Sequence, residues 1–225
     1  MKVYGNIASV VGTLNLTGNV LLHGDTNGSD NITISGTLNI GPNGYLKLNS
    51  NSAVSVNLGG TLKIVGTSMS EPAYITRQSA GNYAISVVSG GSVQARYYNI
   101  SYTNIDGIWL KNGASLHGIN NFTDGVFSNG LAGGRYLRLE QTFADTITIT
   151  GITFNSGPLY NVSRTSGSGV VKFVDPEGVK GSYLYEQDIV AASPTTGNIV
   201  WSYTVPTAFW NGNNLDGFWH EPTNW

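Results

Sequence analysis

The sequence predicts an all-β chain wound as a parallel β-helix. Three observations carry that reading: a pentapeptide that returns at a fixed step, apolar residues that alternate with polar ones, and glycine and asparagine between the apolar runs. GTLNL starts at Gly12, GTLNI at Gly36 and GTLKI at Gly60, so the step is 36 − 12 = 24 and 60 − 36 = 24 residues. At the same step Leu22 falls on Leu46, and Ile32 and Ile34 fall on Val56 and Leu58 and, in the other direction, on Ala8 and Val10. Sandwiches and barrels also use many short strands, but neither requires a constant step.

Within each unit Leu14-Asn15-Leu16, Ile32-Thr33-Ile34 and Leu46-Lys47-Leu48 alternate with the strand period of two. Gly18-Asn19 and Pro42-Asn43-Gly44 mark turns between them. A chain that returns on itself stacks equivalent residues at ~4.8 Å. Leu14, Leu38 and Leu62 are then expected to fill an interior column, and Asn15, Asn39 and Lys63 to point outward. The glycine opening each unit is expected at a corner with positive φ. Beyond Leu62 the register loosens, with GSVQA at Gly91 (91 − 60 = 31) and GASLH at Gly113 (113 − 91 = 22). Ser68–Tyr83 must therefore hold a lateral loop or an enlarged rung. Tyr98 to Gly130 resumes the apolar pattern, and ITITGITFNSG from Ile147 supplies a further rung. Residues 1–165 read as the β-helix, 166–206 as an irregular β cap without the 24-residue step, and 207–225 as a Trp-rich linker or the start of another module. About nine coils at ~4.8 Å would give a rod of roughly 40 Å.

Composition narrows the functional classes. Only 11% of the 225 residues are charged and the net charge is −2, which leaves no basic surface for nucleic-acid phosphates or anionic lipid. At 40% hydrophobic the chain buries a sizeable core, unlike a disordered chain. The absence of cysteine excludes disulfides, thiolate chemistry and Cys-ligated metal centres. MKVYGNIASVVG lacks the charged and long apolar regions of a secretory signal, and no apolar run reaches the ~18 residues of a membrane helix. The chain reads as a segment of something longer.

Candidate chemistry is sparse. Glycoside hydrolysis needs two carboxylates ~5 to 9.5 Å apart. Asp106, Asp124 and Asp145 follow at 124 − 106 = 18 and 145 − 124 = 21 residues, a spacing that could stack them on one side. Asp106 and Asp124 both precede glycine, however, which is the ordinary context of a turn. His23, His117 and His220 are isolated along the chain, against a zinc site. In GDTNGSDN, Asp25, Asn27 and Asp30 offer alternating oxygens for calcium, but the EF-hand glycine and glutamate are missing and a solvated turn is the simpler reading. No GxSxG, GxGxxG or Walker loop is present. Tyr97, Tyr102 and Trp109 are the candidate glycan contacts, as rings on which sugars stack; Phe209, Trp210, Phe218 and Trp219 add aromatics near the end. The alternative is that half of these aromatics are core or cap residues.

NISYTNIDGIWL, from Asn99, resembles the repeats of the pectate-lyase-like superfamily of parallel β-helices, and the GTLNL units resemble the coils of filamentous-haemagglutinin-type bacterial adhesins. The resemblance covers about residues 5 to 157 and lies in pattern, not in a catalytic motif. WNGNNLDGFWHEPTNW, with Trp210, Trp219 and Trp225, resembles the linker between β-helical units of very large bacterial surface proteins. These resemblances imply a right-handed coil. The superfamily includes polysaccharide lyases and glycoside hydrolases, yet the polygalacturonase signature and the calcium-binding acid cluster with an arginine base are both absent here. The expectation is a non-catalytic structural or adhesive segment of a secreted or cell-surface bacterial protein, acting as stalk, adhesin or self-assembling envelope or filament component. Its expected partners are further copies, neighbouring modules and surface glycans, without nucleic acid, membrane span or cofactor other than calcium at Asp25, Asn27 and Asp30. The alternatives are a polysaccharide-active enzyme (lyase or glycoside hydrolase) and a glycan-binding module.

Overall fold

A computed structural model describes residues 2–4, 9–18, 21–23 and 31–204. Alternating apolar residues make short strands, turn residues separate them, and each circuit of the chain lays one strand on each of three faces. The first sheet stacks Lys2–Tyr4, Leu21–His23, Tyr45–Leu48, Ala73–Arg77, Tyr98–Ser101, Val126–Ser128 and Thr153–Phe154. The second stacks Ser9–Val10, Asn31–Ile34, Ala53–Val56, Tyr83–Val87, Thr103–Leu110, Arg135–Leu139, Tyr160–Arg164 and Gln187–Asp188. The third stacks Thr13–Leu16, Thr37–Ile40, Thr61–Val65, Ser92–Arg96 and Ser115–Thr123. All these pairings are parallel, and they make a β-solenoid of about seven turns with about 25 residues per turn. Seven turns at ~4.8 Å span roughly 34 Å over the described residues, against the roughly 40 Å expected for nine coils over the whole chain.

The predicted interior column is present. Leu14 pairs with Leu38 and Leu38 with Leu62, while Asn15, Asn39 and Lys63 share the adjacent outward column. Leu22 lies on Leu46 and Val10 on Ile34, as the step requires. The second sheet departs from it. Ile32 lies on Val54 and Ile34 on Val56, a step of 54 − 32 = 22, and Leu58 is 77% exposed. The connection into the second sheet is two residues shorter after Lys47 than after His23, and a strand period of two keeps the same residues facing inward after such a slip.

Of the unit-opening glycines, Gly113 has the expected positive φ (78°), but Gly36, Gly60 and Gly91 do not. Positive φ falls on the residue before, at Gly59 (77°) and Gly90 (76°), inside turns closed by Gly60 N–H to Asn57 O (2.8 Å) and Gly91 N–H to Val88 O (2.9 Å). Gly36 and Gly60 lack a Cβ for another reason. They lie against carbonyls of the turn below, those of Val11 and Gly12 and that of Ile34, where no Cβ fits. Turns of the same kind stack, with Gly59 N–H donating to Gly90 O and Gly90 N–H to Gly113 O, each at 2.9 Å.

Ser68–Tyr83 is an enlarged rung that contains the strand Ala73–Arg77. Parallel pairing also runs on past residue 165. Val171–Val174 lies on Ile147–Thr150, with 171 − 147 = 24, and Ile199–Ser202 lies on Val171–Val174, with 199 − 171 = 28. The lost repeat in this region reflects variable turn length, not the end of the coil.

The interior changes character along the axis. Leu38, Ile40, Leu46, Val54 and Leu62 fill the first turns, whereas Tyr98, Phe122, Phe127, Tyr136, Phe154, Phe173 and Trp201 fill the later ones. Phe127 stacks on Phe154 at 5.9 Å and Phe173 on Trp201 at 4.7 Å. The buried tyrosines satisfy their hydroxyls on the backbone: Tyr83 donates to Ser101 O (2.6 Å), Tyr98 to Phe122 O (3.0 Å) and Tyr136 to Ser156 O (2.8 Å). Burial pushes the phenols of Tyr83 and Tyr98 well up, and that of Tyr136 to about 12.

Candidate functional site

The three candidate glycan rings occupy three different places, and each lies under a cation. Tyr97 is the corner residue between the strands Ser92–Arg96 and Tyr98–Ser101, at φ 49°, with the Arg96 guanidinium 4.6 Å from its ring centre. Tyr102 turns the next corner at φ 65°, and Arg77 lies 3.7 Å from its ring centre. Trp109 is a mid-strand residue of the second sheet, with Arg138 from the following turn at 4.0 Å and Lys111 at 4.3 Å. Cation–π contacts of this kind contribute ~0.5–1 kcal/mol at exposed sites, with one cation each on Tyr97 and Tyr102 and two on Trp109. Among the described residues no ring contact joins the three. They form no common platform.

The carboxylates are likewise engaged. Asp124, at φ 52°, is a turn residue, and its Oδ2 accepts from Arg96 Nε (3.0 Å) and Nη2 (2.9 Å). Asp106 lies within the long strand Thr103–Leu110, beside Gly107 at φ 65°, and accepts from Arg138 Nη1 at 2.7 Å. The two acids are thus held by different arginines. Asp145 lines a separate cavity of about 270 Å³ with Ala114, Leu116 and Phe143. Glu140, a residue the sequence reading passes over, is held by Arg138 at 2.7 Å, so Asp106 and Glu140 converge on one guanidinium. Burial works against the charge of Arg138, but the hydrogen bonds it donates to Asp106 and Glu140, with the charges of those carboxylates, outweigh it and hold the group above its ordinary value.

Asp25, Asn27 and Asp30, with the aromatics Phe209, Trp210, Phe218 and Trp219, lie outside the described residues. Among the described residues no three His, Asp or Glu side chains gather as a metal site. His117 Nδ1 accepts the backbone N–H groups of Ile119 (3.1 Å) and Asn120 (3.0 Å), closing a bulge in the third sheet. That bulge inserts three extra residues between Leu116 and Asn121, opposite Val93 and Ala95. Side chains then take over from the backbone ladder: Asn121 Nδ2 donates to Thr148 O (2.8 Å), and Thr150 N–H donates to Thr123 Oγ1 (3.3 Å).

What the outer surface does present is columns of small polar side chains. On the third sheet Thr13, Thr37, Thr61, Ser92 and Ser115 stack in register, with Thr61 and Ser92 hydroxyls 2.8 Å apart and Asn39 Nδ2 donating to Asn15 Oδ1 at 2.9 Å. On the second, Ser9, Thr33, Ser55 and Ser86 lead to Trp109 and Arg138. On the first, Tyr45 and Tyr74 stack at 4.3 Å with ring planes 4° apart. Tyr74 falls in the irregular stretch after Leu62, 74 − 45 = 29 residues from Tyr45, so the 24-residue step gives no sign of the pair.

Fold and surface together define an all-β parallel β-solenoid with ladder-forming outer faces. No family model matches the chain, no curated protein matches its sequence, and no solved structure matches it.

Proposed function

We propose that this chain is a non-catalytic structural and adhesive segment of a secreted or cell-surface protein, serving as a stalk, adhesin or self-assembling component of an envelope or filament. The observation that carries the reading is the five-residue column Thr13–Thr37–Thr61–Ser92–Ser115, an uncharged, regularly spaced hydroxyl row on a stacked scaffold. Such a row offers repeated hydrogen bonds to another regular surface without itself bringing the desolvation cost of charge. Stacked turns convert chain length into stiff reach, because each rung is fixed by its neighbours. Electron microscopy of the purified protein at physiological salt, with and without calcium and with an insoluble polysaccharide, tests the reading. Ordered filaments or sheets, or rods decorating the polysaccharide, are the expected result. Dispersed protein that neither assembles nor is retained would overturn it.

The convergence of Asp106 and Glu140 on Arg138 favours one second reading, a polysaccharide-active enzyme. Release of reducing ends from a polysaccharide, abolished by Asp106→Asn or Glu140→Gln, would establish it in place of the first.

A further inference from the structure

We propose that the first sheet carries a ledge for a neutral pyranose, with the open face of Tyr74 as its wall and the Asn99 side chain on its floor. The inference rests on the adhesive reading above and names the ligand class one of its faces takes. Tyr45 and Tyr74 sit on adjacent rungs in direct register, and their rings stack nearly parallel at 4.3 Å, so both planes lie across the coil axis. Tyr45 covers one face of Tyr74. The same outward column continues from Tyr74 to Asn99, Val126 and Thr153, each shorter than a phenol, so the other face of Tyr74 stands above a low floor.

That floor is uncharged, with the Asn99 amide and the Thr153 hydroxyl on either side of apolar Val126. The adjacent column runs from Lys47, on the Tyr45 rung and so on the far side of Tyr74, through Thr76 and the buried Ser101 to Ser128, with the Thr76 and Ser101 hydroxyls 2.8 Å apart. Among the described residues no hydrogen bond engages the Asn99 amide, which leaves its donors and acceptor for a ligand. Rung spacing and strand rise make the patch bounded by Asn99, Ser101, Val126 and Ser128 about 5 by 7 Å, the scale of one six-membered sugar ring.

The electrostatics select the ligand. Tyr97, Tyr102 and Trp109 each carry a guanidinium or ammonium within 5 Å, whereas among the described residues no cation lies over Tyr74, and Lys47 stands 6.0 Å from the Tyr45 ring. An uncovered aromatic face and the Val126 side chain suit the C–H groups of a sugar, and the Asn99 amide and Ser128 hydroxyl suit its hydroxyls. None of these offers a counter-charge to a uronate or sulfate.

The test is calorimetric titration of the protein with cello-, manno-, xylo- and chitopentaose, and with polygalacturonate as the anionic comparison. At least one neutral pentasaccharide binds; Tyr74→Ala and Asn99→Ala each weaken it about tenfold or more, Tyr74→Phe stays within about threefold, and Trp109→Ala leaves it unchanged. Circular dichroism on each variant verifies the fold. No neutral binding, binding that survives Tyr74→Ala, or binding of polygalacturonate alone that is lost in Trp109→Ala would overturn the ledge. Retention of the wild type on insoluble polysaccharide that persists in Tyr74→Ala removes the ledge but leaves the adhesive reading standing, and a wild type that is neither retained nor assembled into filaments or sheets removes both.

Discussion

Gly66→Ala is the substitution by which the stacking is most sharply tested. A Cβ at Gly66 would meet Glu71 O of its own turn most closely, and would lie 2.5 Å from Tyr97 O on the next turn and 2.8 Å from Pro72 Cα, so it meets backbone from two sides. Ordinary van der Waals contact begins at 3.4 Å, so relief from Tyr97 O needs a movement of 3.4 − 2.5 = 0.9 Å. The bonds that hold this corner are Gly66 N–H to Arg96 O (3.0 Å), Ala73 N–H to Tyr97 O (3.0 Å) and Thr67 N–H to Glu71 O (3.3 Å). A movement of that size takes two of them beyond hydrogen-bond range. At ~1–3 kcal/mol for each of the two buried groups left unpaired, and ~0.4–1 kcal/mol regained from the stiffer unfolded chain, the net loss is about 1–6 kcal/mol. Gly118→Ala is the control, because no atom lies within 4 Å of its added carbon, and it is expected to be neutral within ~0.5 kcal/mol. Urea denaturation followed by circular dichroism measures both. Equal, small effects at the two glycines would refute the close approach of successive turns.

Three further outcomes follow from individual contacts. Glu186 is buried, which pushes its carboxyl up despite hydrogen bonds from Trp201 and Ser193; the native state therefore binds its proton more tightly than the unfolded chain. Stability contributed by this group is lost as pH rises through the raised folded value and regained as pH falls towards the ordinary 4.5, and Glu186→Gln should flatten that part of the wild-type profile in denaturation curves taken from pH 4 to 8. Asp124→Asn keeps a side chain that tolerates φ 52° but removes the partly exposed pair with Arg96, so it should cost ~0.2–1 kcal/mol at low salt, with the difference fading in 1 M NaCl; a larger, salt-independent loss would contradict a turn role. Tyr83→Phe removes a fully buried hydroxyl bonded to Ile75 O and Ser101 O, and thermal melts should show ~1–3 kcal/mol of destabilisation.

The early turns were legible in the sequence because their connections keep nearly constant length. Leu14, Leu38 and Leu62 follow at even intervals, and the column they predict is the column that forms. The error at Ile32 and Ile34 shows the limit of that reasoning. A turn can shed two residues without changing which side chains face inward, so alternation survives while register slips, and only backbone geometry distinguishes Val54 from Val56 as the partner of Ile32. The same applies after residue 165, where connections of unequal length hide strands that still pair in parallel. For the candidate site, residue types were visible but their neighbours were not. Arg77 above Tyr102 and Arg138 above Trp109 come from adjacent turns, at sequence separations with no fixed spacing, as does the stacking of Tyr74 on Tyr45.

The outer columns underlie both the proposed adhesion and the sugar ledge, and their register is open to one direct measurement. The natural chain has no cysteine, so pairs can be introduced cleanly. Thr33 lies beside Ser55 in the structure, whereas an even 24-residue step would set it beside Asn57. Adjacent strands bring such Cα atoms to ~5 Å, within the ~4.4–6.8 Å that a disulfide spans. Under mild oxidation, followed by mass spectrometry of the peptides, Thr33→Cys with Ser55→Cys should close and Thr33→Cys with Asn57→Cys should remain reduced; the opposite pattern, or closure of neither, would contradict the stacked columns.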